Sequence, residues 1–234
     1  VLKKGYPLGA MWSFSYAGLN PEDGRPMFNL MDVPEEERDS KIDPTTFLVY
    51  SGQKDPYFTG GLNLGIRYKS LNLNSSFALL LGGKKRLPSP YANFTGGTKL
   101  PNPETNVNKD VAKRWKKPGD EKITNIPSIP AGNPNEINIQ LPVEGYVAMS
   151  PYTMYNQSDL RVADTDFIRC RQISLQYDLP DAWVNKIGVR RASVNASLAN
   201  PFFVAFDKAW EGRDPETANW PARRTVSCSL TLNF

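Results

Sequence analysis

Polar and apolar residues alternate without a break over the last ten positions of the chain. From Thr225 to Phe234 every second residue is apolar, and the residues between them are small and uncharged. A period of two predicts a β-strand, because successive side chains of a strand point to opposite faces. About ten residues of this kind, ending on an aromatic residue, are typical of a transmembrane β-strand. The last strand of a soluble β-sandwich is the alternative on pattern alone.

The same alternation recurs upstream and predicts further strands. The clearest segments are 62–68, 71–81, 172–178 and 192–198, and a weaker one runs from Met11 to Ala17. A tight turn at Lys69–Ser70 is expected to join the first two as a hairpin. The polar positions carry small amides, hydroxyls and single charges, which suit the wet interior of a barrel better than the outer face of a soluble sandwich. The pattern therefore predicts an all-β, antiparallel segment of about six strands.

The connections between these strands differ strongly in length. Those at 69–70 and 180–186 are short, whereas those at about 18–58, 82–165 and 200–223 are long. Short turns on one rim and long loops on the other are typical of an outer-membrane barrel, and loops of this length are uncommon in compact soluble domains.

One part of the second long loop has a helical pattern. Val107, Val111 and Trp115 are spaced by four residues, an asparagine at 106 or 108 is a suitable cap, and a proline follows at 118. This spacing predicts a short helix near Asn108–Lys116. Trp115 is expected to anchor the loop.

Composition excludes several chemistries. The 234 residues include no histidine, so Ser-His-Asp and Cys-His nucleophile systems and histidine zinc sites are excluded. The net charge is only +4, and no nucleic-acid partner is expected. The acidic pairs Asp164/Asp166 and Asp214/Glu216 are interpreted as turn and loop hydrogen bonding. No catalytic residue, cofactor or metal site is predicted.

The two cysteines are predicted to be free thiols. Cys170 and Cys228 belong to predicted strands separated by a third. Such strands place them roughly 9 to 10 Å apart, too far for a disulfide. The chain begins at Val1 without a leader pattern, so it is interpreted as a mature protein, a fragment or a domain.

Six motifs occur in an order that resembles one known family. They are YAGLNPEDG at 16–24, PYFTGG through YK at 56–69, RWKKPGD at 114–120, DTDFIRCRQISLQYDLP at 164–180, NPF at 200–202 and DPE at 214–216. Together with the terminal Phe234 they resemble the SusC/RagA-type TonB-linked transporters of the Gram-negative outer membrane. Two positions depart from the family pattern, since Cys170 and Pro201 stand where the family usually has leucine.

The resemblance implies a function and partners. Residues 1–234 are expected to be the C-terminal part of a TonB-dependent receptor β-barrel of about 22 strands, with the plug domain and TonB box absent from this chain. The implied function is import of large nutrients, oligosaccharides or peptides, through the cell outer membrane, without enzymatic activity. The implied partners are a SusD-like surface lipoprotein, TonB through the missing N-terminal part, the remainder of the barrel and outer-membrane lipid.

Roles follow for individual side chains. Lipid-facing positions, including the C-terminal assembly signal, are Leu175, Tyr177, Leu230, Leu232 and Phe234. Lumen-facing positions are Gln176, Asn195, Ser229 and Thr231. Candidate ligand or lid contacts in the loops are Tyr91, Trp115, Tyr152, Tyr155 and Trp210, although loop anchoring is the favoured interpretation for each.

Two arginines conflict with simple alternation. Arg169 and Arg171 share parity with the apolar Ile173, and a charge facing lipid at mid-bilayer costs about 2–4 kcal/mol. Both are therefore expected to lie above the membrane or beyond a bulge that reverses the parity.

Two other classes of protein remain open. A soluble β-sandwich that binds carbohydrate or acts in adhesion would pack its apolar faces together and refold without detergent. A pore-forming or adhesive barrel without a TonB link would share the strands but not the RWKKPGD and DPE motifs. A six-strand arc would leave two unpaired edges and an exposed apolar face, so the chain is expected to belong to a larger assembly.

Overall fold

The computed structural model describes residues 2–30, 43–92, 104, 106–129, 138–143 and 147–234. Two units are present: Val1–Lys54 with Lys84–Ala163, and Asp55–Gly83 with Asp164–Phe234. Parts of the predicted loops 18–58 and 82–165 lie outside the described residues. None of the helices in these ranges has the length and apolar character needed to cross a bilayer.

Both units contain β-strands. In chain order they are β1 (Ala10–Phe14), β2 (Tyr16–Leu19), β3 (Pro26–Phe28), β4 (Leu48–Gln53), β5 (Phe58–Tyr68), β6 (Leu71–Leu81), β7 (Lys84–Arg86), β8 (Ile139–Gln140), β9 (Ala148–Met149), β10 (Val162–Asp164), β11 (Phe167–Asp178), β12 (Arg191–Ala205) and β13 (Thr225–Asn233). The α-helices are α1 (Pro151–Asn156) and α2 (Asp181–Val184).

A five-stranded antiparallel sheet forms the framework of the second unit. Its strand order is β13-β12-β11-β6-β5. Strands β5 and β6 are joined by the predicted two-residue turn, with Tyr68 opposite Leu71. Lys69 adopts a φ of 51°, in the left-handed region that such tight turns require. The predicted hairpin is confirmed.

Within the described residues the main sheet has five strands, against the prediction of about six. The segment predicted as a strand from Met11 to Ala17 divides into β1 and β2, which pair with β4 and β3 in the first unit. The reason is burial on both faces: Met11, Ser13 and Phe14 are all buried. Phe14 packs in a core with Phe47, Leu141 and Met154. This segment is therefore buried on both sides, unlike a strand that has one exposed face. Alternation alone cannot distinguish these two environments.

The last long loop is shorter than predicted. A loop was expected from residue 200, but β12 continues to Ala205 and the connection begins only at Phe206. Pairing survives the irregularity at Asn200, since Phe202 and Val204 lie opposite Cys170 and Ile168. At this irregularity Asn200 and Pro201 lie opposite the single residue Arg171, and Asn200 has a φ of 52°.

The two faces of the sheet differ in chemistry. On one face, Ile66, Leu73, Leu175, Ala196 and Cys228 follow one another from strand to strand. Most of this apolar face is exposed, with Ile66 at 63% and Val226 at 73% of full exposure. On the other face, a parallel row joins Arg67, Asn72, Gln176, Asn195 and Ser229. We call these the apolar face and the polar face.

A bulge in β11 reverses the alternation at the predicted place. The register of β11 with both neighbours shifts between Cys170 and Gln172. Before the shift, Cys170 lies opposite the apolar Phe77, and Arg169 lies opposite Ala78 on the polar side. The expectation that a bulge keeps Arg169 away from the apolar face is therefore confirmed.

The predicted helix in the second loop exists in a tighter form. Residues Lys109–Lys113 form a 3₁₀ helix, and the Asn108 side chain accepts a hydrogen bond from the backbone N–H of Asp110. The cap was predicted correctly. The spacing of four residues suggested an α-helix, whereas the structure has a five-residue 3₁₀ helix at this place.

Both cysteines are free, as predicted. Cys170 lies on β11 and Cys228 on β13, with β12 between them. We expect thiol titration of the denatured, unreduced protein to give two reactive thiols per chain. A value of zero would contradict this separation. In the folded protein a lipid-soluble thiol reagent should react first with Cys228, which lies exposed on the apolar face, because Cys170 is buried within the chain.

Candidate functional site

The polar face of the sheet is the most extensive candidate surface. Most of its side chains are amides and hydroxyls, which both donate and accept hydrogen bonds. Three of the four predicted lumen-facing residues, Gln176, Asn195 and Ser229, are direct neighbours on β11, β12 and β13. The fourth, Thr231, lies opposite Ser193 in the next row. That this face borders a lumen stays a prediction.

A hollow of about 300 Å³ lies on this polar face. Asn63, Asn74, Ser76, Gln172 and Ser174 contribute to its lining. None of these side chains carries a charge, so each can exchange hydrogen bonds with water or a hydrated solute at low energetic cost. Such a surface is suited to weak, exchangeable contacts and not to tight binding.

The predicted lipid-facing residues share the opposite side. Leu175, Tyr177 and Leu230 occupy apolar-face positions in register with Leu73, Leu71 and Val194. Leu232 lies opposite Ala192 on the same face. Phe234 follows β13 and is 79% exposed. Contact of these residues with lipid stays a prediction.

Two of the loop aromatic residues form an anchoring pair. Tyr91 is buried, and its hydroxyl donates to the carbonyl of Pro127. Its ring meets that of Tyr152 edge-on at 6.1 Å. The Tyr152 hydroxyl is in turn 3.2 Å from the Ser128 hydroxyl. These contacts hold two separate stretches of the first unit together.

Tyr155 and Trp210 are each only 1% exposed, so neither offers a ring face to a ligand in this structure. The Arg161 guanidinium lies 5.5 Å from the Tyr155 ring centroid. The Trp210 indole N–H donates to the carbonyl of Asp164 at 2.6 Å. Trp210 thus ties the connection after β12 to β10, and Tyr155 on α1 contacts the 3₁₀ turn that precedes β10.

Burial also affects the ionisation of the loop phenols. Desolvation raises the pKa of Tyr91, Tyr152 and Tyr155 above the ordinary value for a phenol. Because the folded-state pKa is raised, these groups remain protonated through the whole neutral range. The protonated Tyr91 hydroxyl can therefore keep donating to the carbonyl of Pro127.

Trp115 is held in the RWKKPGD segment by three kinds of contact. Its backbone N–H donates to Ile126, and its indole N–H donates to the Glu121 carboxylate at 3.4 Å. Its ring lies directly against Gly24, where an added Cβ would be 2.4 Å from the indole. Backbone N–H groups hold the pKa of Glu121 below its usual range. The motif residues of 16–24 and 114–120 are thus joined by packing.

Replacing Gly24 with alanine should open this contact. Gly24 has a φ of 71° and no space for a Cβ, whereas Gly119 has a φ of 101° and nothing within 4 Å. Both alanine variants strain the backbone, but only Gly24→Ala also overpacks the indole. We expect Gly24→Ala to lower the local opening free energy of segment 106–129 by about 1–3 kcal/mol more than Gly119→Ala. Hydrogen exchange of that segment measures the difference, and equal protection in the two variants would contradict the packing.

Two clusters were missed by the sequence analysis. Arg169 binds both carboxylate oxygens of Asp214, at 2.6 and 2.7 Å, and reaches Glu216 at 3.2 Å. This attaches the connection after β12 to β11, and only the parity conflict of Arg169 hinted at it. The second cluster joins Tyr6, Trp12 and Tyr50, with ring centroids 4.9 to 5.9 Å apart. The aromatic density around Met11 was its only signal.

The whole chain is similar in sequence to part of a TonB-dependent receptor. The chain is 22% identical over 261 residues to TonB-dependent receptor P3 of Formosa agariphila, covering 100% of this chain and 23% of that protein. The predicted resemblance to the TonB-linked transporters is confirmed. No family model matches the chain.

Solved structures agree with this resemblance at the level of fold. The structure described as the RagAB peptide transporter matches 100% of this chain and 23% of its own, with a TM-score of 0.65 and 19% identity. The RagAB peptide importer in its open-open state matches with a TM-score of 0.63 and 17% identity. The predicted fold class, an all-β antiparallel barrel segment, is thereby confirmed. The chain spans about a quarter of the length of these relatives.

Proposed function

We propose that this chain is the barrel wall and loop region of a TonB-dependent outer-membrane transporter that imports large nutrients. The chain supplies part of a polar passage and part of the surface loops. Energy comes through TonB, which acts on a part of the protein outside this chain. The role is transport and not catalysis.

The observation that carries the proposal is the sheet with two unlike faces. The apolar face is largely exposed in the isolated chain, and the opposite face is lined with amides and hydroxyls. The outermost strands, β5 and β13, each pair on one side only within the described residues. In such a sheet the edge strands find hydrogen-bond partners when further strands close it into a barrel. The apolar face leaves water when lipid covers it. A soluble sandwich would instead cover that face with a second sheet.

Substrate and partner are proposed by analogy with the relatives. RagAB is described as a peptide importer, and the sequence motifs resemble a family that imports oligosaccharides or peptides with a SusD-like lipoprotein. The polar face, rich in amides and hydroxyls, accommodates either class of substrate, because both present hydrogen-bonding groups along a flexible backbone. We therefore propose import of oligosaccharides or peptides in cooperation with a SusD-like surface lipoprotein.

Gel migration of an outer-membrane extract tests the proposal first. A transporter should give a compact, heat-sensitive band containing this chain and much larger than 26.2 kDa. A SusD-like lipoprotein should copurify with it in mild detergent. A water-soluble 26.2 kDa monomer with cooperative unfolding would overturn the proposal in favour of a soluble binding module.

A pair of tryptophan variants then tests transport through the polar face. Asn195→Trp adds bulk to the polar face, and Ala196→Trp adds the same bulk to the apolar face of the same strand. We expect cells that carry Asn195→Trp to lose uptake of long labelled substrates while Ala196→Trp retains it, at equal amounts of folded protein. Offering labelled peptides and oligosaccharides separately identifies the substrate class. Equal uptake by the two variants would contradict transport along this face.

A further inference from the structure

The two short connections of the sheet form a continuous rim. Strands β6 and β11 are neighbours, so the turn at Lys69–Ser70 lies beside the connection from Leu179 to Arg190. A hydrogen bond of 2.9 Å from the backbone N–H of Asp178 to the carbonyl of Ser70 joins them directly. We call residues 69–70 and 178–191 the short-turn rim.

Basic side chains dominate the short-turn rim. It has four cationic residues, all exposed: Lys69, Lys186, Arg190 and Arg191. None of the four forms an ion pair with any residue in the described part of the chain. Of the two carboxylates on the rim, Asp178 already accepts a hydrogen bond from the Gln176 amide at 2.8 Å. With the second carboxylate, Asp181, the four cations exceed the carboxylates by two, so the rim has a net positive charge.

Helix α2 places an exposed tryptophan at the border of the apolar face. Val184 is buried against Val189 and Ala192, and Ala192 is an apolar-face residue of β12 opposite Leu232. This small cluster fixes α2 at the edge of that face. Trp183, next to Val184 on α2, is 62% exposed. A tryptophan with one apolar and one polar end is favoured where hydrocarbon meets water.

Aromatic residues on the strand ends mark the same level. Tyr68 and Tyr177 occupy the last apolar-face positions of β5 and β11 and are in register through Leu71 of β6. Tyr68 is 66% exposed, and the Lys69 ammonium lies 5.4 Å from its ring centroid. Aromatic girdles of this kind lie at the membrane–water interface in barrel proteins. The unpaired cations of the rim thus lie at headgroup level.

We propose that the short-turn rim binds the phosphate groups of anionic phospholipids. This inference rests on the proposed membrane function. Ammonium and guanidinium groups bind phosphate through charge-assisted hydrogen bonds, and Trp183 lies against the glycerol and upper acyl region. An anionic phospholipid satisfies both the charge of the rim and the apolar surface beside it. A soluble polyanion or an acidic protein would satisfy the charge alone.

Lipid retention by the intact protein tests the inference. The detergent-extracted protein is exchanged into micelles with equal amounts of phosphatidylglycerol and phosphatidylcholine, and retained lipids are counted by mass spectrometry. The test variant is Lys69→Gln/Lys186→Gln/Arg190→Gln. The control, Lys208→Gln/Arg223→Gln/Arg224→Gln, removes the same charge from exposed residues of the connection between β12 and β13.

We expect the wild type and the control to retain an excess of phosphatidylglycerol. The rim variant should lose that excess by about two orders of magnitude, since each of the three removed basic side chains adds about a fivefold preference near an anionic surface. The excess in the wild type should also fall as salt rises. Equal retention in all three proteins, an equal loss in both variants, or retention independent of salt overturns the inference.

Heat-modifiable migration of the same samples separates this inference from the proposed function. A wild type that stays soluble in water without detergent overturns the membrane function itself. A membrane-embedded wild type with no lipid preference overturns only the lipid site. If the rim variant does not fold, Lys69→Arg/Lys186→Arg serves in its place and must keep the excess of phosphatidylglycerol.

Discussion

Replacing Asp214 with alanine is expected to destabilise the protein by about 3–5 kcal/mol, because it leaves the Arg169 guanidinium buried without its main counter-charge. The Asp214 side chain is only 1% exposed and the Arg169 side chain 11%. Both carboxylate oxygens of Asp214 bind the same guanidinium nitrogen. Urea unfolding of the membrane-extracted protein, together with protease sensitivity of segment 206–224, measures the effect.

Glu216 provides the matched control for this prediction. It is 3.2 Å from the same guanidinium, but its side chain is 53% exposed. Solvent screens such a pair, so Glu216→Gln should cost less than about 1 kcal/mol. The double variant Arg169→Met/Asp214→Leu should recover much of the lost stability, since it removes both buried charges. Similar costs for Asp214→Ala and Glu216→Gln would show that burial does not govern this cluster.

Placing arginine at position 198 should be the second large effect. Leu198 is on the apolar face in the middle of the sheet, between Ile173 and Val226 on the neighbouring strands. A charge facing lipid at mid-bilayer costs about 2–4 kcal/mol. We therefore expect Leu198→Arg to reduce the unfolding free energy in lipid vesicles by about this amount and to reduce the folded, heat-modifiable fraction.

Ser197→Arg is the companion variant. Ser197 is adjacent in sequence but points to the polar face, between Ser174 and Ser227. Water reaches a polar passage, so the arginine should cost less than about 1 kcal/mol there. A larger cost for Ser197→Arg than for Leu198→Arg would mean that the two faces have been assigned in reverse.

Much of the sheet was predictable because each strand carries apolar residues on one face and polar residues on the other, which gives a period of two in the sequence. Alternation identified β5, β6, β11 and β13 and the turn at Lys69–Ser70. It also predicted that a bulge or a position above the membrane keeps Arg169 away from lipid, and the structure has a bulge between Cys170 and Gln172. These features depend only on neighbours along the strand, which a sequence records directly.

The remainder depends on contacts between residues distant in sequence. The segment from Met11 to Ala17 is an example, because its Phe14 packs against Phe47 and Leu141. No local sequence pattern predicts that contact. Asp214 was interpreted as a turn residue, and it does accept a hydrogen bond from the N–H of Glu216. Its second role appears only when the chain brings Arg169 beside it, 45 positions away. Local and tertiary roles of one carboxylate cannot be separated without the fold.

The unequal connections of the sheet also set an order of assembly. Only two residues separate β5 from β6, whereas β11 reaches β6 only after the chain from Leu81 to Phe167 has been crossed. Loop closure across that stretch costs about 3 kcal/mol more entropy than closing the hairpin. The β5–β6 hairpin can therefore form while the long connection is still unfolded, and β11 docks onto an edge that already exists. Addition of β11 to β6 then depends on how quickly the chain between Leu81 and Phe167 folds. Folding of that stretch brings its two ends closer together.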